Sequence, residues 1–309
     1  MNYTSLKTLE PKFIDTPDGA RLRTAAWEAD PGTTPRGLCI VANGQTEFIE
    51  KYCEVIDELR GRGFAVATFD WRGQGGSSRA LADPLTCHIE DFKQYDTDLA
   101  TFMEKIVKPL SPKPPLALAH SMGANILLRA LHTNPAMCSG AVLTAPMLGI
   151  STRGQPAWLV SAITTLFNAL GKSQGYVFGM SKRDALNVTF DQNLVSQDRT
   201  RWERAKNLLR QNPKLRVNGP TWGWLKAAYG TMREVNAPGH AQAITTPTLI
   251  FGAQDDRIVQ TNAVFDFARH MPNATYIEIP GAEHEIMMDR DGVRERFWKA
   301  FDAFVEKLG

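Results

Sequence analysis

The segment LALAHSMGAN (116–125) sets Ser121 between a short run of buried-type residues and a helix-forming stretch. A serine on so sharp a strand-to-helix turn exposes its hydroxyl above a sheet, and the first N–H groups of the helix favour negative charge beside it. The turn needs small residues two before and two after the serine. Here they are Ala119 and Gly123, so the pattern reads A-x-S-x-G. A serine hydroxyl is a weak nucleophile and requires a base that is itself oriented by an acid. Further along, GAQDDRIV (252–259) follows the strand-like TLIF, and PGAEHEIMMDRDGVR (280–294) follows TYIEI. Both polar groups therefore fall at the carboxyl ends of strands, the rim where open α/β sheets build their sites. His284 supplies the base. The acid is Asp255 or Asp256; Asp256 is preferred, because Ile258 and Val259 follow it closely and can pack back on the sheet. Acyl transfer also needs two backbone donors for the oxyanion. Met122, next to the serine, offers one, and the loop ANGQTEF (42–48) offers the N–H of Gln45, with Gly44 permitting a strained turn.

The elements that would carry these residues are legible in the apolar rhythm. Residues 12–27 read as a hairpin around Pro17-Asp18-Gly19. GLCIVA (37–42), AVATFD (65–70), LALAH (116–120) and GAVLTA (140–145) are short apolar runs of the kind buried on both faces of a sheet. Helix-like segments near 47–61, 90–107 and 122–133 separate them, which predicts βαβ units and a mostly parallel sheet. The rhythm stops after Pro146. Residues 151–239 hold no clean buried strand; they contain an apolar helix candidate from Trp158 to Leu170, a charged one from Asp198 to Gln211, and GPTWGWLKAAYG (219–230). Strand and helix then resume with TLIFG (248–252), a helix near 260–270, TYIEI (275–279) and a last helix from 291. The expected division is a core of residues 1–150 and 240–309, interrupted after its sixth strand by a helical cap, 151–239.

Composition narrows the field without choosing an activity. The chain has 309 residues, 43% apolar and 22% charged, enough for a sizeable core. Its formal net charge of +2 leaves no basic field, so no nucleic-acid partner is expected. No apolar run approaches the roughly 18 residues of a spanning helix, and the N-terminus shows no charged-then-apolar signal, which predicts a cytoplasmic protein. Cys39, Cys53, Cys87 and Cys138 lack metal spacing and read as reduced, mostly buried thiols. Gly73-Gln74-Gly75-Gly76 fails the dinucleotide fingerprint and reads as a turn, while His284-Glu285 begins HExxH but meets Met288 in place of the second histidine. No cofactor or metal is expected. His120 reads as packing under the site, and His88, His132, His240 and His270 as ordinary surface or core histidines.

Taken as a set, the motifs resemble the monoacylglycerol lipase and lysophospholipase branch of the α/β-hydrolases, the group of bacterial lysophospholipase L2. NGQTEFIEKY (43–52) is similar to its oxyanion-loop segment, FDWRGQGGSSR (69–79) to its D-x-R-G-x-G-x-S turn, and HSMGA, DDRIV and PGAEHEIMMDRDGVR to its three triad segments. GPTWGWL (219–225) looks like part of its cap, and the likeness spans residues 12 to 308. Asn43, where many relatives have His, and Ala119 depart from the pattern. The resemblance implies an α/β-hydrolase fold with Ser121, Asp256 and His284 as catalytic residues, Gln45 and Met122 as oxyanion donors, and a lysophospholipid or monoacylglycerol ester as substrate. The same triad on a non-lipid ester, an amide or a lactone is the alternative. Within the cap, Trp158, Leu159, Phe167, Phe178, Met180, Trp222, Trp224 and Tyr229 would roof an apolar pocket for an acyl chain, with Trp158, Phe167, Trp222 and Trp224 as substrate-binding candidates. An exposed apolar helix from Ala157 to Leu170 would also suit peripheral contact with a bilayer surface.

Overall fold

The computed structural model describes residues 3–152, 154–179 and 184–309; Met180 of the expected roof lies outside them. One sheet of eight strands runs through the molecule: β1 (Lys12–Asp15), β2 (Arg21–Trp27), β3 (Gly37–Ala42), β4 (Phe64–Phe69), β5 (Leu116–His120), β6 (Gly140–Thr144), β7 (Thr248–Ala253) and β8 (Ala274–Ile279). Their spatial order is β1-β2-β4-β3-β5-β6-β7-β8. The first two strands pair antiparallel, as a hairpin must, and every neighbour from β4 to β8 is parallel. β5 and β6 are buried along their whole length, which is why they read as unbroken apolar runs.

Alternate residues of each strand feed two cores. Leu38, Ile40 and Ala42 of β3 face one, and Cys39 and Val41 face the other. The helices α1 (Cys53–Gly61) and α8 (Asp291–Leu308) cover the second, through Val55, Ile56, Leu59, Phe297 and Phe301. The first is covered by α2 (Lys93–Phe102) and α3 (Met122–Thr133), with Phe102, Leu127 and Leu131 among the residues inside. All four cysteines are free and buried.

Residues 151–239 depart after the carboxyl end of β6 and lead back, through His240–Ala243, to the start of β7. β6 and β7 are adjacent, Ile150 bridges to Val259, and the Ser151 N–H donates to the Ile258 carbonyl at 2.8 Å. Between β6 and β7 lie α4 (Ala157–Ala169), α5 (Arg199–Gln211) and α6 (Trp222–Val235); α7 (Thr261–Ala268) follows β7. Asp198 caps α5 by accepting the Arg201 N–H at 2.8 Å, and Thr221 caps α6 by accepting the Trp224 N–H at 3.2 Å.

Two elements differ from the sequence pattern. The helix expected near 47–61 starts as a tight turn, Ile49–Tyr52, before α1, because the Ile49 N–H is drawn to Asp70 Oδ1 at 2.9 Å. Residues 219–235, unassigned by pattern, form a two-residue strand, Gly219–Pro220, paired with Thr86–Cys87, and then α6. Glycines at 219, 223 and 230 masked the helix, and a strand so short and non-local leaves no periodicity to read.

Candidate active site

The turn between β5 and α3 is strained at its centre. Ser121 has φ 51° and ψ −113°, a conformation that side chains with a Cβ avoid. It persists because the backbone around it is pinned: the Ser121 N–H donates to the Thr144 carbonyl at 3.0 Å, and its own carbonyl accepts from Asn125 and Met147, both at 3.1 Å. The small residues of A-x-S-x-G have separate reasons. A Cβ on Gly123 would lie 2.5 Å from the carbonyl oxygens of Ala42 and Asn43, so α3 could not start this close to β3 with any other residue. Ala119, fully buried, pairs in register with Ala42 and Leu143 and has room for its methyl.

The structure brings Ser121, His284 and Asp256 together from the ends of three strands. Ser121 Oγ lies 2.9 Å from His284 Nε2, and His284 Nδ1 lies 2.7 Å from Asp256 Oδ2. Asp256 Oδ1 accepts the N–H groups of Ile258 and Val259 at 2.8 and 2.9 Å, which fixes the carboxylate toward the ring. Its side chain is fully buried and that of His284 is 5% exposed. Burial alone would raise the Asp256 pKa. The facing imidazole and the two N–H donors outweigh it and hold the carboxyl below its usual value. Asp255 is exposed, with only its backbone engaged, to the Ala282 carbonyl.

His120 packs beneath, its ring 4.8 Å from that of His284. Its Nδ1 sits 3.1 Å from both the carbonyl and the hydroxyl of Thr144. Burial lowers its pKa to about 4, leaving the ring neutral near pH 7.

The loop 43–48 stands beside the serine: a Cβ on Gly44 would lie 3.3 Å from Ser121 Cβ. Among the described residues, neither the Gln45 nor the Met122 N–H has a protein acceptor. The loop, which holds Thr46 at φ 63°, is fastened from the turn after β4, read in the sequence only as a turn. Gln74 Nε2 donates to the carbonyls of Gly44 and Glu47 at 2.7 and 3.0 Å, and its Oε1 accepts the Thr46 N–H at 3.0 Å. Asn43, the departure from the family pattern, donates to the Phe69 carbonyl at 3.1 Å.

The expected roof residues occupy different places. Phe167 stacks on Trp222 with centroids 4.5 Å apart, and the exposed Phe178 meets both edge-on. Trp224 turns inward, its Nε1–H 3.3 Å from the Tyr95 hydroxyl. Trp158 is 72% exposed. Leu159 and Tyr229 are half-buried.

Pattern reading missed two further contacts with the histidine loop. The segment Val195–Gln197 lies against it: the Glu285 N–H donates to the Val195 carbonyl at 2.7 Å, Ser196 Oγ to the Met288 carbonyl at 2.7 Å, and Gln197 Nε2 to the Gly281 carbonyl at 3.1 Å. Lys51 reaches it from the other side. The Glu47 and Lys51 spacing of i, i+4 was the one available signal. Among the described residues, no group of three His, Cys, Asp or Glu side chains is placed to hold a metal ion.

Residues 33–291 match the family described as serine aminopeptidase, S33. The chain is 33% identical over 265 residues to lysophospholipase L2 of Escherichia coli (strain K12), covering 83% of this chain and 76% of that protein. It is 30% identical over 275 residues to the probable lysophospholipase L2 of Haemophilus influenzae, covering 89% and 85%. A soluble variant of monoglyceride lipase from Saccharomyces cerevisiae has the same fold, with a TM-score of 0.76 at 20% identity over 98% of this chain and 97% of that one. With that match and an eight-stranded α/β-hydrolase sheet, the chain belongs to this family, in its lysophospholipase and monoacylglycerol lipase branch, and is an ester hydrolase.

Proposed function

We propose that the chain hydrolyses a lipid monoester, a lysophospholipid or a monoacylglycerol, through an acyl-enzyme on Ser121. The continuous relay from Ser121 Oγ through His284 to Asp256, at 2.9 and 2.7 Å, is the observation that carries the reading. Ser121 attacks the ester carbonyl while His284 Nε2 takes its proton, and Asp256 holds the ring's Nδ1–H and stabilises the imidazolium. The free N–H groups of Gln45 and Met122 receive the oxyanion. His284 then protonates the leaving alcohol and activates water against the acyl-enzyme.

The lipid part rests on the names of the relatives and on the cap. Residues 151–239 act as the cap in this reading, with Phe167 and Trp222 as the aromatic wall that meets the acyl chain. α4 carries no charged residue, and Trp158, Leu166 and Leu170 on its exposed side suit contact with a bilayer surface. In this reading the protein is cytoplasmic and meets the bilayer peripherally; among the described residues no helix is long and apolar enough to cross a membrane.

Ser121→Ala tests the chemistry. It abolishes labelling by a fluorophosphonate probe and lowers decanoyl ester hydrolysis by at least about 10⁴-fold; equal labelling of both proteins would refute the assignment. The family description, an aminopeptidase, favours a second reading in which the same relay cleaves an amide, lactone or non-lipid ester. A preference for acetyl over decanoyl p-nitrophenyl esters would select it.

A further inference from the structure

A lysine that is largely but not fully buried joins the two loops on which this relay depends. Lys51 Nζ donates to Glu47 Oε1 at 2.8 Å and to Glu285 Oε1 at 2.6 Å, a partner 234 residues away in the chain. Glu47 belongs to the loop of Gln45, where its Oε2 accepts the Gly44 N–H at 2.5 Å and the Tyr52 hydroxyl at 2.6 Å. Glu285 directly follows His284. The three side chains are 12%, 5% and 14% exposed. One ammonium thus spans the residue before Gln45, through Glu47, and the residue after His284.

Net stability is a poor reason for such a group. Desolvating three charges offsets most of their attraction, and apolar replacements of buried ion clusters are often neutral or stabilising. Geometry is a better reason. An oxyanion donor and a base must be registered to about 0.5 Å, yet these two sit on loops with no shared element between them. The electrostatics agree with a fixed bridge. Burial opposes the lysine's charge, but the two carboxylates more than offset it and raise its pKa. Glu47, also buried, is held below its usual range chiefly by Lys51, whereas burial leaves Glu285 above its own.

We propose that Lys51 is a positioning residue that sets the oxyanion loop against His284 by bridging Glu47 and Glu285. The proposal rests on the assignment of Ser121, His284 and the Gln45 N–H given above. It makes the bridge matter most where oxyanion and imidazolium exist together, in the transition state, and little in substrate binding.

The test uses Lys51→Met and the double variant Lys51→Met/Glu285→Gln, whose net charge over the three positions equals the native one. With p-nitrophenyl decanoate, kcat falls on the order of 10²-fold in both while KM stays within about threefold, the loss expected of a misplacement near 1 Å. Affinity for decylboronic acid, whose adduct with Ser121 is a tetrahedral anion, falls with kcat; affinity for an unreactive decyl ether does not. Native kcat in the double variant would overturn the proposal, since Lys51 would then serve only to balance charge. Native kcat in the single variant would overturn it too. Where Lys51→Met leaves two facing carboxylates and does not fold, the double variant carries the same comparison. Ser121→Ala in the series separates the two readings: retained hydrolysis there removes the site assignment itself, whereas a silent Ser121→Ala beside an unaffected Lys51 pair removes only the bridge.

Discussion

Asp255 and Asp256 are neighbours in the chain with opposite surroundings. Asp256 accepts two backbone N–H groups and faces His284; Asp255 faces solvent. Asp256→Asn therefore lowers kcat by about 10⁴-fold, because the ring loses its orienting anion, while Asp255→Asn stays within about twofold of native. Steady-state kinetics on a decanoyl ester decide it, and comparable losses in the two variants would remove Asp256 from the relay. The sequence reduced this choice to two residues by placing both after a strand. It preferred Asp256 on the strength of Ile258 and Val259, and the N–H groups of those same residues are the ones that grip the carboxylate. Lys51 was harder to see. Its acidic partners sit 4 residues before it and 234 after it, and only the nearer makes a local pattern.

Among elements, α4 and α6 differ in how firmly they are packed. α6 is anchored: Thr231 donates to Asn125 Oδ1 at 2.8 Å on α3, the Thr221 hydroxyl lies 2.7 Å from His88 Nδ1, and most of the helix is buried. Trp158, Ala162 and Leu166 of α4, with Leu170 at its C-cap, form one exposed stripe at helical spacing. Leu166→Glu with Leu170→Glu, which removes two apolar contacts of about 1.5 kcal/mol or more each, weakens binding to phosphatidylcholine vesicles by at least tenfold, while kcat/KM on soluble p-nitrophenyl acetate changes less than about twofold. Vesicle sedimentation measures the first. Unaltered vesicle binding would leave α4 as the wall of a pocket and no more. The apolar character of α4 was plain from composition; which of its sides meets solvent was not, because its apolar residues run around the helix with only a weak preference.

At the scale of the whole molecule, part of the acid sensitivity sits at the site. His120 is buried neutral with a pKa near 4 against an ordinary 6.5. As pH falls the unfolded chain takes up this proton first, so the stability linked to His120 is complete above pH 6.5 and is lost progressively down to pH 4, about 3 kcal/mol in all. Asp256, depressed in the fold, adds a further loss below its ordinary carboxylate range. Urea midpoints followed from pH 7 to pH 4 record the first loss, and His120→Asn, which keeps a donor for the Thr144 carbonyl, makes the profile less steep between pH 6.5 and 4. An unchanged slope in that variant would place the titration elsewhere, with His240, also lowered by burial to about 4, next in line.

By itself the sequence determined the alternation of strands and helices, the parallel core, the break after β6 and the residue types at the carboxyl ends of β5, β7 and β8. All of these are set by local propensity and by which faces must be apolar. Tertiary structure alone decided the rest: that Asp256 turns to His284, that Gln74 and Lys51 fasten the loop 43–48, that Val195–Gln197 lies on the histidine loop, and that Trp224 points inward while Trp158 faces out. Each is a contact between residues far apart in the chain. Such contacts are made once the sheet has brought the loop ends to a common rim, and no short-range pattern encodes them.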